Sequence, residues 1–81
     1  MDRQQVREAV ASEVRAEAAR QRASQSTIAL LLGTSTGTVS RKMRATYGFD
    51  IDELCALASA WDVPVVNFLC AVRDLNPEPA D

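Results

Sequence analysis

The chain has 81 residues, 47% of them hydrophobic, with three glycines, three prolines and a formal net charge of −2. That suffices for one packed core, leaves no room for a second core within these residues, and excludes a wholly disordered chain. No apolar run has the length of a membrane span or the form of a secretion signal, which argues against membrane insertion and export.

The apolar set is rich in Ala, Leu and Val and only 5% of residues are aromatic, a composition that favours packed helices over a sheet. Asp2 is placed to cap a first helix running to about Gln21, with Val6, Val10 and Val14 at four-residue spacing and Ala9 and Ala18 beside them. Ser24 caps a second helix, Gln25–Leu32, whose inner stripe is Ile28, Ala29 and Leu32. Gly33 follows its last apolar position, where a left-handed residue ends a helix without steric cost. Two residues later Ser35 caps a third helix from Thr36 to about Arg44, with Val39 and Met43 facing inward and Thr36, Gly37, Ser40, Arg41 and Arg44 elsewhere on its surface.

A connector of residues 45–49, containing Gly48, leads to Asp50, the cap of a fourth helix over 51–60. Asp52 and Glu53 fall in its first turn, where the helix dipole favours acids, and Leu54, Leu57, Ala58 and Trp61 form its apolar positions. Pro64 opens a fifth helix to about Val72, expected to bury Val66, Phe68, Leu69 and Val72. A flexible tail is expected over 76–81, leaving residues 1–75 as the domain. Cys55 and Cys70 fall in the apolar helical patterns without metal-ligand spacing and read as small core residues in a reducing cytoplasm. With no histidine, no glycine-rich phosphate loop and no clustered carboxylate pair beyond helix caps, neither catalytic residues, a metal, a cofactor nor a small-molecule substrate is expected.

The charge is unevenly distributed. Between Arg15 and Arg44 six basic residues stand against Glu17 alone, whereas from Ala45 onward seven acids stand against Arg73. A local basic face matters more to a polyanion than the overall balance. It coincides with two short helices joined by a tight turn, a helix-turn-helix whose third helix can present its outer face to the major groove of DNA.

The residues Ser24-Gln25-Ser26-Thr27-Ile28-Ala29, Leu32-Gly33-Thr34-Ser35 and Thr38-Val39-Ser40-Arg41 resemble helix-turn-helix proteins of the lambda repressor and Cro type. The likeness continues through Phe49, Leu54, Leu57-Ala58, Trp61, Val63-Pro64-Val65 and Phe68-Leu69, spanning about Val14 to Val72. It implies an all-α, compact five-helix bundle that binds operator DNA in a phage or bacterial host cytoplasm. Carried over by position, Thr36, Gly37 and Arg41 face the bases, and Gln25, Thr38, Lys42 and Arg44 meet the backbone; Arg20 and Arg22 are further phosphate candidates. Arginine suits base reading because it donates two parallel hydrogen bonds to guanine. Two positions depart from the pattern: Gly37 where a polar side chain is common, and Met43 where Glu is common.

The likeness also implies a dimer, for which Phe68, Leu69 and Val72 with Trp61 offer a partner surface on the C-terminal helices. The alternative is a protein-binding module of the same fold, an antitoxin or anti-repressor, to which the acidic C-terminal half lends weight. The uncharged or basic recognition face favours DNA.

Overall fold

The computed structural model describes residues 1–75, and the tail expected over 76–81 lies outside them. Among the described residues the chain is all-helical, with five α-helices: α1 (Arg3–Gln21), α2 (Gln25–Leu32), α3 (Thr36–Met43), α4 (Ile51–Trp61) and α5 (Cys70–Arg73). No helix among them is long and apolar enough to cross a membrane.

Each of the first four helices starts on a side chain that satisfies an orphan backbone N–H. The Asp2 and Asp50 carboxylates accept from Gln5 and Glu53, whose own side chains accept from the cap N–H in return, closing two capping boxes. The Ser24 and Ser35 hydroxyls accept from the N–H groups of Thr27 and Thr38, both at 3.1 Å.

The same four helices end alike. The N–H groups of Ala23, Thr34, Thr46 and Val63 reach back to the carbonyls of Ala18, Ala29, Arg41 and Ala58 at 2.9–3.0 Å. The residue before each is left-handed: Arg22 at φ 55°, Gly33 at 66°, Ala45 at 64° and Asp62 at 52°. This is the Schellman closure, which satisfies terminal carbonyls and reverses the chain sharply. Only one of the four positions is glycine. In the connector the left-handed residue is the buried Ala45, and Gly48 instead lets the Arg7 side chain lie close.

α1 lies across α3, the segment Val65–Leu69 and α5, while α2 packs on α3 and α4. Their shared core holds Val10, Val14 and Ala18 of α1, Ile28 and Ala29 of α2, Val39 and Met43 of α3, and Leu54, Leu57, Ala58 and Trp61 of α4, closed by Phe68. Val6, Leu32, Phe49, Val63 and Val72 pack against it half-buried. Trp61 and Phe68 meet edge to face, ring centroids 6.3 Å apart, the arrangement aromatic quadrupoles prefer.

The structure corrects four expectations, most of them at the C-terminal end. The fifth helix is not continuous: Val65–Leu69 is a 3₁₀ helix, and only Cys70–Arg73 is α-helical. The tighter three-residue winding turns Phe68 inward, 1% exposed, and leaves Val66 (59%) and Leu69 (36%) outside. Phe68 and Trp61, expected to serve a partner surface, are therefore spent on the core. Cys55 and Cys70 are exposed rather than buried. Cys55 adjoins Leu54 in sequence, which on a helix puts it about a hundred degrees off the inward stripe.

Candidate nucleic-acid interface

α2 and α3 are separated by Gly33, Thr34 and Ser35 alone, and both face the core: Ile28, Ala29, Val39 and Met43 enter one cluster with Leu32 against it. Small Ala29 and left-handed Gly33 permit the close crossing, so the buried residues of α3 set how its other side is presented. That other side carries Thr36, Gly37, Arg41 and Arg44, all exposed. Gly37 and Arg41, four residues apart, share one patch. The Arg41 Nη1 lies 3.5 Å from where a Cβ on Gly37 would sit, so the guanidinium folds back along the helix over the bare glycine.

The backbone candidates divide into two groups. Gln25 is the exposed first residue of α2, Arg44 caps the C-terminus of α3, and Arg22 is the exposed left-handed residue after α1. Among the described residues Arg22, Arg41 and Arg44 form no ion pair, and from Ala18 to Phe49 the sequence holds no acid.

Arg20, Thr38 and Lys42 are engaged within the fold. Arg20 donates through Nη2 and Nε to Glu17 Oε1 at 2.9 and 3.1 Å, although its side chain stays 62% exposed. The Gln21 amide, donating to Oε2 at 2.9 Å, and then Arg20 hold the buried Glu17 carboxyl below the usual carboxylate range. The Thr38 hydroxyl accepts from Ser35 Oγ at 3.0 Å as part of the α3 cap. Lys42, expected from the sequence to meet a phosphate, is paired through Nζ with Glu53 Oε2, and each side chain is only 14% exposed.

Three residues hold α3 through contacts that sequence reasoning did not assign to them. The Arg15 guanidinium of α1 donates to the Met43 carbonyl, and the Gln4 amide donates to the Ala45 carbonyl at 3.1 Å, so α1 satisfies the end of α3. Glu53 joins α4 to α3 through Lys42. The Asp50–Glu53 spacing carried a signal for the capping box, but nothing in local spacing marks contacts between residues 28 or 41 positions apart.

Comparison with curated proteins and with solved structures finds no match. The family model described as the BetR domain matches residues 2–80, nearly the whole chain. The chain belongs to the BetR domain family.

Proposed function

We propose that this domain is a transcriptional regulator that binds duplex DNA sequence-specifically, in the manner of lambda repressor and Cro, with α3 in the major groove. The observation that carries the reading is the outer face of α3. Arg41 lies over the bare Gly37, the exposed Arg44 follows at the end of the helix, and the sequence has no acid between Ala18 and Phe49. Arg41 donates to guanine O6 and N7, Thr36 and the exposed Gly37 backbone approach neighbouring bases, and Gln25, Arg22 and Arg44 meet phosphates. Membership of the BetR family supports a regulatory role. The domain acts by binding and not by catalysis.

One recognition helix covers few base pairs, so two copies bind half-sites related by a two-fold axis. With Phe68 and Trp61 inside the core, exposed Val65, Val66 and Leu69 are the apolar residues available near the C-terminus. Sedimentation of wild type and of Val66→Glu reads the pairing.

Selection of bound sites from random duplex DNA tests the main reading. Arg41→Ala is expected to cost about 1–3 kcal/mol on the selected site and much less on random duplex. Equal losses on both make Arg41 a phosphate contact; a wild-type domain that enriches no sequence refutes the reading.

A further inference from the structure

We propose that Lys42 and Glu53 are positioning residues of the DNA-reading helix, and that Lys42 is not a phosphate ligand. The inference rests on the DNA reading above and deepens it by separating the basic residues that touch DNA from one that aims the helix. Three side chains converge on the C-terminal end of α3. Arg15 and Gln4 reach it from α1, by way of the Met43 and Ala45 carbonyls, and Glu53 reaches it from α4 through Lys42.

Glu53 is committed in two directions. Oε1 accepts the Asp50 N–H at 2.9 Å, closing the cap of α4, while Oε2 takes Lys42. The ion pair therefore joins the start of α4 to the last turn of α3. Both partners are largely covered, so it is less screened by salt than a surface pair. Withdrawing Lys42 to a phosphate would leave a mostly covered carboxylate unpaired beside the polyanion. Keeping it in place neutralises the acid that α4 sets against α3 and fixes the tilt of the helix that carries Arg41. The exposed Arg22 and Arg44 supply the phosphate contacts instead.

The experiment measures affinity for the selected duplex and for random duplex across a salt series, for wild type, Lys42→Met, Glu53→Gln, the double variant and Arg44→Ala. Circular dichroism confirms that each is folded at the working temperature, and Lys42→Arg serves where Lys42→Met is not. A phosphate ligand contributes about 0.9 to the slope of log affinity against log salt. Lys42→Met is expected to leave that slope unchanged while lowering the preference for selected over random duplex about tenfold. Glu53→Gln does the same, the double variant adds nothing further, and Arg44→Ala flattens the slope by about 0.9. Lys42→Arg, which keeps the pair, retains the preference; its loss overturns the proposal. So does a slope flattened by about one unit in Lys42→Met, or an unchanged preference in Glu53→Gln, with the DNA reading left standing. A wild type that selects no duplex at all overturns both.

Discussion

Replacing Gly33 by alanine isolates a single physical effect. Gly33 sits at φ 66° between α2 and α3, and a Cβ built on it meets nothing within 4 Å. The substitution therefore creates no clash with neighbouring residues, and its cost is the backbone's alone. A left-handed conformation costs an L-residue about 1–2 kcal/mol relative to glycine. Reduced freedom of the unfolded chain returns about 0.4–1 kcal/mol of that. The net loss is about 1 kcal/mol, which in a domain of this size lowers Tm by about 4–8 °C. Gly33→Asn is expected to lose less, because asparagine tolerates this region, and Gly33→Val more, because a β-branched residue does not. Arg22, exposed and left-handed at φ 55°, supplies the reverse experiment. Arg22→Gly removes the same strain and is expected to raise Tm by a few degrees while weakening DNA binding. Thermal melts followed by circular dichroism read all four variants. An unchanged Tm in Gly33→Ala, or a lowered one in Arg22→Gly, refutes the backbone reasoning.

Two further outcomes concern the core and acid stability. Phe68→Ala removes a ring that is 1% exposed and is expected to cost about 3–5 kcal/mol, comparable to the whole net stability of a domain this small; urea titration should find it largely unfolded, and a native-like midpoint would contradict the packing. Glu17 is held below the usual carboxylate range by Gln21 and Arg20, so its contribution is fully present above that range and lost as pH falls through the depressed folded value. Glu17→Gln should accordingly lower Tm near neutral pH and close the gap to wild type in acid; a gap that does not narrow rules out that linkage.

Much of this architecture follows from local spacing alone. Asp2, Ser24, Ser35 and Asp50 each stand at the start of an apolar helical period, and a cap acts within three residues of itself, so the sequence contains both ends of the interaction. The inward stripes of α1 to α4 and the turn at Gly33 are legible for the same reason, as is the excess of arginine around α3. The left-handed closures at Arg22, Ala45 and Asp62 are different. Arg22 and Ala45 do not announce the conformation and Asp62 signals it only weakly; it is imposed where the chain must reverse to bring the next helix onto the core. The burial of Phe68 is legible from the apolar pattern, whereas the outward placement of Val66 and Leu69 depends on a 3₁₀ winding that only packing against α1 and α4 selects. The state of the basic residues is likewise tertiary. Lys42 and Arg44 look equivalent in sequence, but folding sets Glu53 of α4 against Lys42 and leaves Arg44 exposed at the end of α3. Charge can be counted along a chain, but whether a given charge is available to a partner depends on which acid the fold places beside it.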